Sequence, residues 1–312
     1  MTDFSIIIPH RGNALGLWST IHSCEEDLVE LPFDYNYVIV TNGEELDADA
    51  RNTLHYLDSS GKLLKHIHSD SPLSPPAARQ RGAAAANGKL LCFFDNHCLV
   101  GKRYFERVAV DFECAGLDML HSSTRFYSAQ GTHYHYMLKL NYNFWAESSQ
   151  QPQNEYTLYP LAAGGHGGFV VRKDVWGEVG GYGPEELLRG YGGEELIFDL
   201  KMWRLGKSNH IDPRLIHYHY AGNRGYSRHY TDEYYVNLLV SALVVGGEKW
   251  LYKVFDSFLN RRHIRTHNHG EWYPLLETAY RRGIAYSHEV DAKSQFSLDE
   301  LLAKFPQDRV AF

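Results

Sequence analysis

The stretch Lys89-Leu-Leu-Cys-Phe-Phe-Asp95-Asn-His97-Cys-Leu-Val100 decides the predicted fold of this chain. Its apolar run, Leu90 to Phe94, has the length and composition of a buried strand in a parallel sheet. The run ends abruptly in three polar residues, and ligands of open α/β sheets bind outside the carboxyl ends of the strands. An Asp and a His two residues apart can both turn toward one divalent cation. The stretch therefore predicts a metal site, the alternative being a polar turn that closes a strand.

The composition is that of an ordinary globular protein. Hydrophobic residues make up 44% of the chain and charged residues 22%, both typical of soluble domains. The formal net charge of −7 excludes a global basic field that would attract nucleic acid, although a local basic patch is compatible with it. At 312 residues the chain can form one large domain or two small ones.

The cysteine spacing and the N-terminal sequence predict a cytoplasmic protein. The four cysteines lack the spacing of zinc ligands, and Cys92 lies inside the predicted strand, which favours reduced thiols. Residues 1–5 lack the basic segment of a signal peptide. The longest apolar run near the C-terminus, Leu238–Val245, is too short to span a bilayer. We therefore expect a soluble cytoplasmic protein with no membrane contact.

Residues 1–115 alternate between strand and helix patterns. Apolar runs predict four strands, and apolar residues at helical spacing predict the helices between them. Such alternation is typical of an open α/β sheet that binds a nucleotide. The predicted strands are Ser5–Pro9, Tyr37–Val40, His66–His68 and Leu90–Phe94, and the predicted helices are 14–31, Leu46–Leu57 and Ala77–Asn87, the last with Gly88 as its C-cap.

Two glycine-rich segments lie in the second half of the chain. Residues 161–169 contain four glycines, which let the backbone approach a ligand closely, the alternative being a flexible loop. Residues 180–193 lead into Glu194 and Glu195, which open a predicted helix. These two carboxylates could complement the helix dipole, or they could serve as a sugar ligand and a general base.

Two histidines in the predicted strand Ile211–Tyr220 are candidates for a third metal ligand. His217 and His219 share a face if the segment is a strand. Such a pair is more often structural than metal-binding. Because the Asp-x-His group needs a third ligand, either histidine could complete the site.

Extended and helical patterns fill the rest of the chain. Residues 117–160 predict strands with an irregular loop at Glu147–Tyr156. From Thr231 onward the pattern predicts helices, interrupted at Gly246-Gly247, with a capping box at Ser297–Glu300.

A cluster of basic and aromatic residues near the C-terminus has two interpretations. It could be a solvated helix face, or an anion-binding patch that supplies phosphate contacts and a stacking aromatic ring. The cluster consists of Arg261–Arg265, His267, His269, Trp272, Tyr273, Arg281 and Arg282.

These stretches together resemble the family 2 and family 27 glycosyltransferases of the GT-A fold, the latter being the polypeptide N-acetylgalactosaminyltransferases. The similarity covers roughly residues 4–225 and consists of five matches in the right order. The matching segments are Ala78-Arg79-Gln-Arg-Gly82, the Asp95-x-His97 metal motif, Lys139-Leu-Asn-Tyr142 with Trp145, Ala163-Gly164-Gly165, and Tyr191-Gly-Gly-Glu194-Glu195.

The chain departs from the pattern of these enzymes at several positions. The second strand ends in Thr41-Asn42, where the relatives usually have Asp-Asp and the first Asp contacts uracil. Tyr191 replaces a Trp, and Glu195 replaces an Asn. The membrane anchor and lectin domain of the eukaryotic relatives do not appear in the sequence.

The resemblance implies an α/β GT-A domain, with an open mixed sheet flanked by helices, at residues 1–225. Residues 1–115 would be its nucleotide-binding half and 116–225 its sugar and acceptor half, and 226–312 would form a helical C-terminal extension. The implied activity is metal-dependent transfer of a hexose or N-acetylhexosamine from a nucleotide sugar, typically UDP-linked, to a hydroxyl acceptor in the cytosol.

The resemblance also implies a role for individual residues. Mn²⁺ or Mg²⁺ would be held by Asp95, His97 and His219, with His217 as the near alternative. Glu195 stands where inverting relatives keep a base, whereas family 27 enzymes retain configuration, so both stereochemical outcomes stay open. The implied donor-binding residues are His10, Arg11, Arg79, Asp95, Gly164, Gly165 and Tyr191, and the implied catalytic residues are Glu194 and Glu195.

Two other functional classes are compatible with the same fold. One is a catalytically silent domain that binds a sugar or nucleotide, and the other is a nucleotidyltransferase that forms sugar nucleotides. The second class should have a glycine-rich phosphate loop after the first strand, and Pro9-His-Arg-Gly-Asn13 is a poor one. For the transferase, a hydroxymethylated DNA base is one acceptor hypothesis, and other cytosolic hydroxyls are the alternative.

Overall fold

A computed structural model describes residues 2–12, 14–43, 45–46, 48–128, 131–135, 137–140, 146–149, 157–220, 231–260 and 269–305. The first part of the chain alternates strands and helices, as predicted. Its elements are β1 (Phe4–His10), α1 (Ala14–Leu28), β2 (Tyr35–Asn42), α2 (Ala48–Ser59), β3 (Leu63–Ser69), α3 (Pro75–Ala85), β4 (Leu90–Phe94), β5 (Cys98–Val100) and α4 (Tyr104–Ala115).

The second part adds strands, two helices and a helical C-terminal region. It contains β6 (Met119–Ser128), β7 (Gly131–His135), β8 (Met137–Leu140), β9 (Ala146–Ser149), β10 (Tyr159–Pro160), β11 (Gly168–Arg172), α5 (Lys173–Val179), α6 (Glu194–Arg204) and β12 (Asn209–Tyr220). The C-terminal helices are α7 (Asp232–Asn260), α8 (His269–Lys293) and α9 (Leu298–Lys304).

A mixed sheet organises these elements, with the strand order β10-β12-β6-β11-β4-β1-β2-β3. Strands β4, β1, β2 and β3 are parallel, whereas β11 runs antiparallel to both of its neighbours, β4 and β6. Ile6, Ile7 and Ile8 on β1 are all fully buried, because helices cover both faces of the sheet. This open mixed sheet flanked by helices confirms the predicted fold class.

The C-terminal helices pack with one face of the sheet in a common hydrophobic core. A single cluster of buried side chains joins Phe93 of β4, Phe198 of α6, Leu239 of α7 and Leu301 of α9. The predicted interruption of α7 is confirmed, because Gly247 has φ 70° and ψ −172° inside it. The predicted capping box of α9 is also present. The predicted domain boundary near residue 225 lies outside the described residues.

Two local predictions were wrong. Helix α3 ends at Ala85 with Ala86 as its C-cap, and Gly88 instead packs on β1, where an added Cβ would lie 2.5 Å from the backbone N of Ser5. The Ser5 hydroxyl accepts the Gly88 N–H at 2.8 Å, so this glycine serves strand packing and not a helix end. Of the predicted loop Glu147–Tyr156, the first residues form β9, which pairs with β8, and residues 150–156 lie outside the described part.

Candidate metal and donor site

Three side chains with metal-ligating atoms meet at the carboxyl end of β4. Asp95 and His97 follow β4 directly, and β5 pairs antiparallel with β12 so that Cys98 lies opposite His219. The Nε2 atoms of His97 and His219 are 3.2 Å apart, and Oδ2 of Asp95 lies 3.3 Å from Nε2 of His219. One ligand atom from each residue lies within 4.8 Å of the other two.

Asn96, which the sequence analysis did not assign to the site, orients the His97 ring. Its Nδ2 donates to the carbonyl oxygen of Gly12 at 3.2 Å and lies 2.9 Å from Nδ1 of His10. Because a carbonyl can only accept, this contact fixes which end of the amide is Oδ1. Oδ1 then accepts from Nδ1–H of His97 at 3.0 Å. In a neutral His97 ring, the lone pair on Nε2 therefore points toward His219.

The donor set of this group fits a divalent cation. A carboxylate oxygen and two imidazole nitrogens converge, and three protein ligands leave coordination positions for a substrate. The orientation of His97 by a hydrogen bond on its other nitrogen is the arrangement that ligating histidines usually have. These side chains could thus hold the ion that the resemblance implies.

His217 lies outside this group, although it is only two residues from His219. It is fully buried. Its Nδ1 lies 2.7 Å from the Ser122 hydroxyl, and its Nε2 lies 3.2 Å from the Thr124 hydroxyl. Because both ring nitrogens have hydroxyl partners on β6, the contacts of His217 are those of a structural histidine.

Arg79 connects Glu194 to the metal-ligating group of Asp95, His97 and His219, called here the Asp95 group. Its Nη2 donates to Oδ1 of Asp95 at 2.7 Å and to the carbonyl oxygen of His166 at 3.0 Å, and its Nη1 lies 4.0 Å from Oε1 of Glu194. Within the described part of the chain, Nε and Nη1 of Arg79 and Oε2 of Glu194 are buried without a hydrogen-bond partner. Leaving such atoms unpaired is costly, so they indicate a place for a polar ligand.

The carboxylates of the site differ in their tendency to ionise. Burial opposes ionisation of Asp95, but the Arg79 guanidinium and the hydrogen bond with His219 outweigh it and hold the pKa well below its usual range. Burial raises the pKa of Glu195 well above its usual range, and the Glu194 carboxylate raises it further. Asp95 is therefore an anion suited to a cation, whereas Glu195 keeps its proton to a higher pH than an ordinary carboxyl group does.

Histidine packing explains three of the four glycines in residues 161–169. An added Cβ would lie 2.4 Å from Nδ1 of His121 at Gly164, 2.9 Å from Cδ2 of His219 at Gly167, and 2.8 Å from Nδ1 of His217 at Gly168. At Gly165 an added Cβ would meet no atom of the described chain within 4 Å. Of the four glycines, Gly165 is thus the one that borders open space where a ligand could lie.

A second polar cluster, missed in the sequence analysis, lies beneath Gly164. Asp199 of α6 accepts the Gly164 N–H at 2.6 Å and Nε2–H of His166 at 2.9 Å, and Nε2 of His121 lies 3.2 Å from its Oδ2. The Tyr182 hydroxyl bonds Nδ1 of His166 at 2.9 Å. The four side chains are buried. The sequence feature that could have indicated this cluster is Asp199, an acidic residue inside the apolar run of α6.

The remaining predicted donor residues lie at different depths. His10 is buried and reaches the metal group through Asn96, whereas Arg11 is exposed. Tyr191 is 54% exposed, and its ring stacks on Tyr234. At the end of β2 the Thr41 hydroxyl lies 2.9 Å from a ring nitrogen of His66 and from one of His68.

Within the basic C-terminal cluster, Trp272 is buried whereas Tyr273 is 59% exposed. Trp272 is only 2% exposed and packs against Tyr235 and Phe258, so its ring has no free face for the stacking that one of the two interpretations requires. Arg282 forms two hydrogen bonds with Glu233, at 2.7 and 2.8 Å. Apolar α7 residues cover the indole because α8 packs on α7. Arg261–Arg265 and His267 lie outside the described residues.

The open mixed sheet, with an Asp-x-His group at the end of its central strand, defines a protein of the GT-A class, as predicted. The chain belongs to glycosyltransferase family 2, because the model of that family, "Glycosyl transferase family 2", matches residues 5–180. The predicted family is thereby confirmed.

Curated relatives resemble part of this chain. It is 25% identical to polypeptide N-acetylgalactosaminyltransferase 5 of Caenorhabditis elegans over 230 residues, which are 67% of this chain and 35% of that protein. It is 24% identical to human polypeptide N-acetylgalactosaminyltransferase 13 over 229 residues, which are 68% of this chain and 40% of that protein. The chain thus spans well under half the length of these relatives.

Solved structures share the fold. A crystal structure of GalNAc-T7 with UDP, GalNAc and Mn²⁺ has a TM-score of 0.69 at 16% identity, and the match covers 91% of this chain and 57% of that one. A crystal structure of S. aureus TarS 1–349 in complex with UDP-GlcNAc has a TM-score of 0.58 at 16% identity, covering 100% and 93%.

Two further observations bear on the predicted location. Each of the four cysteines is a free thiol, and Cys114 is the exposed one. None of the helices described above combines the length and apolarity needed to cross a bilayer.

We predict that His166 makes stability depend on pH. Burial lowers the pKa of its imidazole from 6.5 to about 4, although Asp199 opposes this shift. As the pH falls below 6.5, His166 of the unfolded chain binds a proton, whereas His166 of the folded chain binds one only near pH 4. The stabilisation is therefore fully present above pH 6.5 and declines by about 3 kcal/mol toward pH 4.

Urea unfolding at a series of pH values tests this prediction. The loss of stability on acidification should be smaller in His166→Gln than in the wild type. His22→Gln, at an exposed position of α1, is the control for exchanging a histidine for a glutamine. Equal pH dependence in the wild type and His166→Gln would contradict the prediction.

Proposed function

We propose that this chain is a metal-dependent glycosyltransferase that moves a hexose or N-acetylhexosamine from a UDP-sugar to a hydroxyl acceptor. The observation that carries the proposal is the convergence of Asp95, His97 and His219 at the carboxyl end of β4. Family membership supports transfer over the nucleotidyltransferase alternative. The names of the relatives, which are N-acetylgalactosaminyltransferases, support an N-acetylhexosamine.

The ligand atoms favour Mn²⁺ over Mg²⁺ as the cofactor. Mg²⁺ prefers an octahedron of oxygen atoms, and the two imidazole nitrogens make this group better suited to a transition metal. When bound, such an ion would neutralise the donor diphosphate and so stabilise the charge on the leaving nucleotide. A structure of GalNAc-T7 that contains UDP and Mn²⁺ shares this fold.

The residues around the ion would bind and orient the donor. The unpartnered Nε and Nη1 of Arg79 could donate to phosphate or sugar oxygens, and Oε2 of Glu194 could accept a sugar hydroxyl. Gly165 leaves room for the sugar ring. Asp199 holds the Gly164 N–H from below, which would keep that wall of the sugar site in place.

Glu195 is the residue that we propose for proton transfer. Its raised pKa suits a group that takes the proton of the acceptor hydroxyl as that hydroxyl attacks the anomeric carbon. This role belongs to an inverting transfer, whereas a retaining transfer does not require it. The anomeric configuration of the product, determined by NMR, distinguishes the two, and a retained configuration would remove this role from Glu195.

The acceptor is proposed only as a class, a cytosolic hydroxyl. Free thiols at all four cysteines support a reducing compartment. A hydroxymethylated DNA base stays a prediction from the sequence, but the burial of Trp272 and the ion pair of Arg282 with Glu233 weaken it. Transfer to a hydroxymethylated duplex that falls steeply with added salt would support this acceptor, and no transfer to such a duplex would exclude it.

For the metal site, we predict that Asp95→Asn, His97→Ala and His219→Ala each lower the affinity for Mn²⁺ and abolish its effect on UDP binding. Asn96→Ala should lower the affinity for Mn²⁺ by about 10- to 100-fold, because it removes the partner that orients His97. Calorimetric titration of Mn²⁺ in the presence of UDP measures these changes.

His217→Gln is the matched control for the metal site. It replaces a histidine of the same strand that faces Ser122 and Thr124, and it should bind Mn²⁺ as the wild type does. If Mn²⁺ binding survives in His219→Ala but is lost in His217→Gln, the third metal ligand is His217 and not His219. Activity that survives a chelator would refute metal dependence.

For the donor site, we predict that Gly165→Val weakens UDP-GlcNAc and UDP-GalNAc binding by about tenfold or more, because the new side chain fills the space of the sugar. Binding of UDP with Mn²⁺ should be unchanged, since the described chain has no atom near that position. Gly177→Val, at an exposed glycine that also has no atom within 4 Å, is the control.

Calorimetry with UDP, GDP, dTDP and the two UDP-sugars separates the outcomes. Equal loss of UDP and UDP-sugar binding in Gly165→Val would contradict the placement of the sugar. Tight binding of only a non-uridine nucleotide would refute the choice of UDP. Binding of a UDP-sugar without nucleotide release on any acceptor or in water would favour the catalytically silent alternative.

A further inference from the structure

Helix α7 contacts the loop that leads into Glu194 and Glu195. Asn237, which is fully buried, accepts the Arg189 N–H at 3.2 Å through its Oδ1 and donates to the Arg189 carbonyl at 2.6 Å through its Nδ2. One side chain thus satisfies both polar backbone groups of a loop residue. Such a pair of bonds fixes the position and the direction of the backbone at Arg189, as pairing with a strand would.

Ser241, one turn further along α7, contacts the end of the same loop. Its hydroxyl lies 2.9 Å from the carbonyl oxygen of Gly193. Gly193 is the N-cap of α6, has a φ of 84°, and has no side chain to cap the helix. Its carbonyl also accepts the Ile197 N–H at 3.0 Å. The residue immediately before Glu194 is therefore held by α7 on one side and by α6 on the other.

The two loop glycines are shaped by the same contact. An added Cβ would lie 2.3 Å from the Tyr234 ring at Gly192, and 2.9 Å from the Asn237 carbonyl oxygen at Gly193. Both glycines also have positive φ angles, which residues other than glycine rarely adopt. The backbone of the loop therefore passes against α7 at a distance that no other residue would permit.

Helix α8 braces the contacting end of α7. Arg282 of α8 bonds Glu233 in the first turn of α7 through both guanidinium nitrogens of its fork, at 2.7 and 2.8 Å. Two parallel bonds of this kind fix orientation as well as distance. The neighbouring Tyr234 stacks on Tyr191 at 6.3 Å with an interplanar angle of 18°. The contact between α7 and the loop is thus supported from the outside.

We propose that α7 is part of the active site, with Asn237 and Ser241 as positioning residues that hold Glu194 and Glu195 toward the donor sugar. This inference rests on the proposed function, because it takes these carboxylates to face the sugar. Neither positioning residue lies in the part of the chain that the family model matches, residues 5–180. Because Glu194 and Glu195 also lie outside that match, α7 would hold carboxylates that the matched part does not contain.

The experiment compares Asn237→Ala and Ser241→Ala with a matched control, Ser287→Ala. The Ser287 hydroxyl is also buried and donates to a carbonyl of α7, that of Leu243, at 2.8 Å, so this bond joins α8 to α7 and does not involve the loop. All three variants should lose some stability. Hydrogen exchange of the amides in residues 189–197 should be faster in the first two variants and unchanged in Ser287→Ala.

Activity measurements supply the second readout. We expect kcat for transfer to fall by about tenfold or more in Asn237→Ala, with a smaller fall in Ser241→Ala, which removes only one oxygen atom. The dissociation constant for UDP with Mn²⁺ should stay at the wild-type value, because Asp95 follows β4 and His219 lies on β12, so neither substitution in α7 removes a ligand of the metal group. Ser287→Ala should keep the wild-type kcat.

Either of two results would overturn the inference. One is unchanged exchange of residues 189–197 in both Asn237→Ala and Ser241→Ala, and the other is an equal fall of kcat in Ser287→Ala. If Asn237→Ala does not fold, Ser241→Ala decides. Hydrogen exchange needs no turnover, so a wild-type protein that transfers no sugar would refute the proposed function while the exchange result still tests the contact with α7.

Discussion

The pairing of the short strand β5 with β12 is the interaction on which the site depends. It sets Cys98 opposite His219, and a backbone bond from the Tyr220 N–H to the His97 carbonyl at 3.1 Å extends it. Residues that are more than 120 positions apart in the chain thereby come within ligand distance. Because register in a strand pair is fixed to the residue, a slip by one position would turn His219 away from Asp95.

The parts of the site that could be predicted from sequence are those encoded locally. Asp95 and His97 follow an apolar run, and Glu194 follows two glycines, so short patterns place them on a strand end and a helix start. Asn96 received no role from the sequence, since its orientation depends on the Gly12 carbonyl, which lies 84 positions away. The roles of Asp199, His121 and Asn237 were missed for the same reason, because only the folded chain shows which groups they contact.

Glycines illustrate why sequence alone could not separate ligand contact from packing. The run at residues 161–169 suggested a backbone that approaches a ligand, yet Gly164, Gly167 and Gly168 make room for histidine rings. Gly192 and Gly193 likewise make room for α7. A missing Cβ indicates that something lies close to the backbone, but it does not indicate whether that neighbour is a ligand or another part of the protein.

Arg79 contacts both Asp95 and the region proposed for the donor sugar. This double contact has a thermodynamic consequence. Nη2 of Arg79 donates to Oδ1 of Asp95, beside the Oδ2 that lies 3.3 Å from Nε2 of His219, so the guanidinium and a bound cation would draw on the charge of the same carboxylate. An anionic ligand that drew the guanidinium toward itself would weaken that bond and leave Asp95 a better cation ligand. By linkage, the cation would then strengthen binding of the anion by the same factor, so occupancy of either position would report on the other.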